Sequence, residues 1–244
     1  MMIPQLIVIL FFVFAPHMAY AQLDFLDGLK EKGMEQLGIS GSDGLSNEKI
    51  ISGLKEALEI GTEKTVELTG NTDGYLKNEA IKILLPEKLQ KMDKALRMVG
   101  FGPQIDEFVV SMNRSAEQAA PLAKPIFKDA VTEMSFEDGE KILNGGDTAA
   151  TDYFREKTKG KLAEAFKPKV TAAMDQVGVA AQYKSLVGEY SSLPFVNVDQ
   201  FDLDNYVVGK SLDGLFHTLA QEEQKIRADP AARVTDLLKE VFAK

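Results

Sequence analysis

Cysteine and tryptophan are absent from the 244 residues, and histidine occurs only twice. Without cysteine there is no disulfide framework, no thiolate zinc site, no iron–sulfur cluster and no cysteine nucleophile. A lipid anchor on a cysteine is excluded for the same reason. Positive charge is short: 28 Lys+Arg stand against 37 Asp+Glu, a net charge of -9. That balance argues against non-specific binding to nucleic acid or to an anionic membrane. Fixed-period repeats, low-complexity linkers and composition shifts are also missing. The length suits one domain, two at most, and can bury a real core.

Long apolar runs are scarce, and the one that stands out lies at the N-terminus. Met1 to Ala21 holds no Asp, Glu, Lys or Arg, and Leu6 to Phe14 is continuously apolar. Pro16 follows, then Ala19-Tyr20-Ala21 places small residues at both positions of an A-x-A site. This is the order of a secretory signal, residues 1–21, with cleavage before Gln22. Its n-region lacks Lys and Arg, so the terminal amine alone supplies positive charge. A retained anchor is the alternative, but Ile3 to Ala15 is 13 residues, short of the roughly 20 that a spanning helix needs. The mature chain keeps the net charge of -9 and one imidazole, His217. The expectation is an acidic, soluble protein, periplasmic or secreted, with no transmembrane segment in the mature chain.

That chain is punctuated like a string of helices. Ser46 precedes Ile50, Ile51, Leu54 and Leu58, in a run that ends near Gly70. Pro86 and Pro103 sit where first helical residues belong, and Gly100 and Gly102 where helices stop. Ser135-Phe-Glu-Asp138 resembles a capping box with Asp in place of Glu. Asp147, Asp204 and Asp229 stand as further N-caps. Each helical residue turns about 100°. Ile105, Phe108, Val109, Met112, Ala116 and Ala119 then form one apolar stripe, as do Leu212, Leu215, Phe216, Leu219 and Ile226. Leu237, Leu238, Val241 and Phe242 form a third. Each stripe needs a partner, which other helices supply. Pro121, Pro125 and Pro168 are expected to kink or divide helices. Ile81–Leu85 and Phe195–Val198 are β-prone, so at most a minor two-stranded piece is expected, with extended loop the better reading. The fold class is all-α: a single bundle-like domain over 46–244, with 22–45 a loosely attached N-terminal segment.

Several segments carry a family resemblance. They include Leu54-Lys-Glu-Ala-Leu58, Gly61-Thr-Glu-Lys64, Thr72-Asp-Gly-Tyr75 and Leu84-Leu-Pro-Glu-Lys-Leu89. Ser111-Met-Asn-Arg114, Ile142-Leu-Asn-Gly-Gly-Asp147 and Tyr153-Phe-Arg155 follow in order. Ser192-Leu-Pro-Phe195, Leu212-Asp-Gly-Leu-Phe216 and Ala231 to Leu238 complete the set. Over roughly residues 46–244 the chain resembles an exported bacterial family known as domain of unknown function 4197. The resemblance implies a helical exported protein and brings no catalytic residues with it.

Candidate chemistry is sparse. His217 lies about 140° round its helix from Leu212, on the polar side, and reads as a solvated residue rather than a base or ligand. A lone imidazole makes a poor metal site, so no metal and no cofactor is expected. Asp199-Gln-Phe-Asp202-Leu-Asp204-Asn205 clusters oxygens but lacks EF-hand spacing, as does Asn71-Thr-Asp73-Gly74. Turn and cap roles account for both. Asn144-Gly-Gly-Asp147 offers a helix start, yet its Asp would occupy the cap and repel an anion. Gly100-Phe-Gly102 alone is no dinucleotide fingerprint. Asn113 and Arg114 are polar residues in an apolar helix, with Arg114 about 180° from Ile105. Asn113, Arg114, Asp147, Arg155 and Arg233 are the candidates for ligand or partner binding, each also readable as a structural or solvated polar group. Glu222, Glu223, Lys225 and Arg227 read as a solvated face.

Catalytic residues are unknown from sequence, and the balance leans away from an enzyme. The first expectation is a non-catalytic binding protein whose partner is an envelope protein. The second is a carrier of an apolar or lipid-like small molecule between helices. The third is a carboxylate-based hydrolase, for which no acid pair can be selected.

Overall fold

The computed structural model describes residues 47–176, 178–191 and 201–228. All belong to one compact unit, Ser46–Lys244. The signal, the 22–45 segment, the cap Ser46, Phe195–Val198, Asp199, the Asp229–Pro230 start, Arg233 and the Leu237–Phe242 stripe lie outside the described residues.

Among the described residues the structure is all-α, with no strand. Helix α1 (Asn47–Gly70) leads through a turn and an extended stretch to a 3-10 turn (Glu87–Leu89). Next come α2 (Gln90–Met98) and α3 (Gly102–Ala119), a 3-10 turn (Ala120–Leu122) and α4 (Ala123–Glu133). Then follow α5 (Phe136–Leu143), α6 (Ala149–Gln176), α7 (Val179–Ser191) and α8 (Leu203–Ala228). Helix α8 packs on α6 and α1, while α3 packs on α6.

The boundaries follow from local chemistry. Gly100 stands at φ +97° between α2 and α3, a conformation open to a residue without a Cβ. Ser135 caps α5: its hydroxyl accepts from Asp138 N at 3.1 Å, and Asp138 Oδ2 accepts from Ser135 N at 3.2 Å. The expected box is therefore present. The cap of α8 is Asp202, whose Oδ1 accepts from Asn205 N at 3.0 Å. Asp204, expected in that role, instead accepts from Thr171 Oγ1 at 2.8 Å. Pro86 precedes the 3-10 turn rather than opening α2. Pro121 falls in the 3-10 break between α3 and α4, but Pro168 lies inside an undivided α6.

Both described stripes point inward. Ile105, Phe108, Met112, Ala116, Leu212, Leu215, Phe216 and Leu219 are buried, with Val109 half-buried. At the centre, Phe127 meets Phe154 edge-on at 5.2 Å and Phe216 at 6.2 Å. Each such ring contributes roughly 1.5–3 kcal/mol by leaving water. Most buried threonines return their hydroxyls to their own helix. Thr65 Oγ1 donates to Gly61 O and Thr69 Oγ1 to Thr65 O, both at 2.7 Å. Among the described residues the one buried side-chain polar atom without a partner is an acceptor, Gln182 Oε1.

Candidate functional site

The connection from α1 to α2, residues 71–86, is held by polar side chains of α3. It begins with a turn in which Asp73 takes φ +71°, a left-handed conformation that Asp tolerates better than most residues. Gly74 follows, and a Cβ there would collide with the Leu68 carbonyl oxygen. The turn drives Tyr75 into the core, where it is fully buried. Its hydroxyl donates to Ser211 O at 2.6 Å. A Cβ on Gly214 would stand 2.5 Å from the Tyr75 ring, so glycine is what lets the ring lie against α8. Burial pushes the Tyr75 phenol far above its ordinary range, so it is a permanent donor.

Glu117, 4% exposed, secures the backbone of this turn. Its Oε1 accepts from Tyr75 N at 3.1 Å and Leu76 N at 3.2 Å. Its Oε2 accepts from Arg114 Nη1 at 2.6 Å, and Arg114 Nη2 donates to Asp73 Oδ1 at 2.6 Å. Lys77 completes the set at 2.7 Å from Asp73 Oδ2. Lys77 and then Arg114 hold the Asp73 carboxyl below its usual range. Asn113 grips the extended stretch. Its Oδ1 accepts from Ile83 N and its Nδ2 donates to Ile83 O, both at 2.8 Å. These are the two bonds a neighbouring strand would make. Ile81 ends the turn, and residues 82–85 run on without being a strand.

A second carboxylate does a parallel task at the start of α6. Glu223, 8% exposed, accepts from Ala150 N at 2.9 Å and from Thr151 N and Oγ1 at 2.8 Å. Arg227 Nε donates to Glu223 Oε1 at 3.0 Å, and its Nη2 to Ile142 O at 2.8 Å. The cap of α6 therefore comes from α8, not from Asp147, which is exposed in the preceding turn. The reading of Glu223 as part of a solvated face is corrected too. It lies about 20° round the helix from Leu212, inside the buried stripe.

The concavity beside the first clamp is an open cleft of about 340 Å³. One wall is the extended stretch, with Ala80, Ile81, Lys82 and Leu84. The other is α8, with Tyr206, Lys210, Asp213, Gly214 and His217. Spacings of three and four place these groups on one face of α8. Tyr206 OH donates to Leu84 O at 2.7 Å and ties the walls together. Lys210 Nζ stands 3.8 Å from Asp213 Oδ2. His217 is exposed on the rim, as its rotation from Leu212 requires. A further cavity, between α1, α6 and α8, holds about 30 Å³ against Leu54, Leu58, Leu219 and Ile226. That is room for a water or two, not for an acyl chain.

The chain matches, over residues 44–243, the family described as protein of unknown function (DUF4197). It belongs to that family. No curated protein and no solved structure matches it. Three of the segments that carry the resemblance to DUF4197 converge in space. Asp73, Gly74 and Tyr75, Asn113 and Arg114, and Gly214 meet in the first clamp.

The sequence candidates therefore separate. Asn113 and Arg114 come together on the 71–86 connection. Arg114 is 29% exposed and paired, covered by a turn rather than by a further helix. Arg155 lies elsewhere, its guanidinium 4.6 Å from the centre of the Phe216 ring. No contact among the described residues joins Arg114, Arg155 and Asp147. Glu117, Glu223 and the lysines of the cleft were missed. Glu117 carried a signal, since it follows Asn113 by four and Arg114 by three on the same helix. Glu223 carried another, as a charge on an apolar stripe. No helix among the described residues is long and apolar enough to cross a membrane.

Proposed function

We propose that this protein is exported and acts outside the cytoplasm as a non-catalytic binding protein, with recognition at the cleft between residues 80–84 and α8. The observation that carries this reading is a division of labour among polar groups. Asn113, Arg114, Glu117 and Glu223 are saturated by backbone and ion-pair partners. At the cleft, by contrast, Lys82, Lys210, Asp213 and His217 line an open concavity. Binding sites are concave, with few polar groups on a rigid support. Tyr206 and Asn113 supply that support by fixing the extended wall. Export is supported by the uncharged apolar segment and the A-x-A site of residues 1–21.

The absence of cysteine allows a clean test. Leu84→Cys, 59% exposed in the native chain, carries an environment-sensitive dye. The same dye on Lys157→Cys serves as a remote control. Envelope extract is expected to change the Leu84 signal saturably and leave the Lys157 signal flat, and N-terminal sequencing of envelope material is expected to begin at Gln22. A dye that stays silent at Leu84, or a cytoplasmic protein with Met1 intact, sinks the proposal.

A further inference from the structure

The lining of the cleft says what kind of molecule it takes. Over the whole lining two lysines, Lys82 and Lys210, stand against one carboxylate, Asp213. Lys82 on the extended wall and Lys210 on α8 each present an ammonium, and His217 adds an imidazole on the rim. Among ionised acceptors in the lining, Asp213 stands alone, and at 3.8 Å from Lys210 it leaves most of that ammonium's donor capacity open. Tyr206 has already given its proton to Leu84 O.

Lys82 is half-buried and forms no salt bridge among the described residues. Lys82 acts weakly on Asp106 of α3, whose carboxyl is held below its usual range first by Arg97 and least by Lys82. Arg97 Nη2 holds Asp106 Oδ1 at 2.7 Å, so Asp106 is already engaged. An excess of cationic donors inside a concavity is notable on a chain of net charge -9. Low-dielectric walls concentrate that local field. The lining also includes the apolar side chains of Ala80, Ile81 and Leu84.

Resting on the reading of this cleft as the recognition site, we infer that it binds a small organic carboxylate. The carboxylate sits between Lys82 and Lys210, and a short apolar body lies against Ile81 and Leu84. The volume of about 340 Å³ falls at the lower end of the roughly 300–1,000 Å³ typical of small-molecule clefts. That size suits a short aliphatic or a single-ring acid. Two lysines, rather than one bidentate arginine, mark the site as a point-charge receptor that tolerates several acid shapes.

The test uses the only imidazole beyond the first 21 residues as a built-in reporter. In the purified exported protein, the Cε1–H proton resonance of His217 is assigned by its loss in His217→Gln. Hexanoate, benzoate and, as a control of opposite charge, hexylamine are titrated separately. Both acids are expected to shift the resonance saturably, and hexylamine is not. Lys82→Met with Lys210→Met is expected to weaken acid binding at least tenfold. The paired Lys→Arg variant is expected to retain binding within about threefold, which separates charge from a folding defect. No saturable shift with either acid, an equal shift with hexylamine, or unchanged affinity in the Met variant overturns the inference. If the acids fail while the Leu84 dye still answers envelope extract, the ligand class is wrong and the site stands. If both are silent, the site itself is wrong.

Discussion

Glu117 and Glu223 use one device in two places, and the cleft uses none of it. Each buried glutamate sits on a helix and reaches out to two consecutive backbone N–H groups. Each is held by an arginine of its own helix, Arg114 three residues before and Arg227 four residues after. Each arginine then reaches a further acceptor, Asp73 or Ile142 O. In the cleft, Lys210 and Asp213 form a loose pair, with side chains 48% and 63% exposed. The difference lies in desolvation. A buried carboxylate must be fully satisfied or it destabilises the fold. A solvated pair contributes roughly 0–1 kcal/mol and leaves its groups open to a ligand.

The sharpest way to break that comparison is Glu223→Ala. It strips the cap from α6 and removes the carboxylate that Arg227 Nε and Nη2 hold. Removing one partner of a buried pair costs about 3–5 kcal/mol, well above the ~1 kcal/mol of an ordinary cap. Urea unfolding is expected to show a loss of that size. A loss near 1 kcal/mol would reduce Glu223 to a simple cap.

Gly214→Ala comes next. It drives a methyl into the Tyr75 ring, and overpacking of this kind costs about 1–3 kcal/mol. Combined with Tyr75→Leu, the loss is expected to be smaller than the two single losses added together, because the clash disappears with the ring. Strict additivity would mean the ring is not what fixes the glycine. Tyr75→Phe is smaller again, at about 1 kcal/mol, since the Ser211 carbonyl loses one buried donor.

Asp73 probes the exposed edge of the first clamp through pH. Its carboxyl is lowered in the fold, so its contribution is present above the ordinary carboxylate range and is lost as pH falls through the lowered value. The native chain is therefore expected to lose more stability between pH 7 and pH 3 than Asp73→Asn does, by urea midpoint. Equal acid sensitivity would show that Lys77 and Arg114 do not favour the ionised form. The smallest effect is reserved for the cleft rim. His217→Ala is expected to stay within about half a kcal/mol of the native stability, and a cost well above 1 kcal/mol would place that imidazole inside the packing.

Much of the helical frame was legible because it follows from local rules. The stripes of α3 and α8, the Ser135 box and the Gly100 break all depend on residues within a few positions of one another. Periodicity also placed His217 correctly on an exposed face. The errors have a common form. Asp147 and Asp204 were read as caps because each stands near a helix start. The groups that do the capping are Glu223, from another helix, and Asp202, two residues earlier.

The candidate site was less legible. Asn113 and Arg114 were visible as polar residues in an apolar helix, but their partners Ile83, Asp73 and Glu117 were not. Lys82 and Lys210 are 128 positions apart and carry no motif, so only the packing of the extended stretch on α8 brings them to one cleft.

By itself the sequence determined the all-α class, the buried faces of α3 and α8, the missing cysteine chemistry and membership in the family. Each of these depends on composition or on neighbours along the chain, where spacing sets geometry. The tertiary structure alone decided which backbone groups the two glutamates would meet and that two lysines would line a common concavity. Those outcomes depend on which backbone N–H groups a distant turn leaves exposed, and a one-dimensional pattern carries no record of that distance.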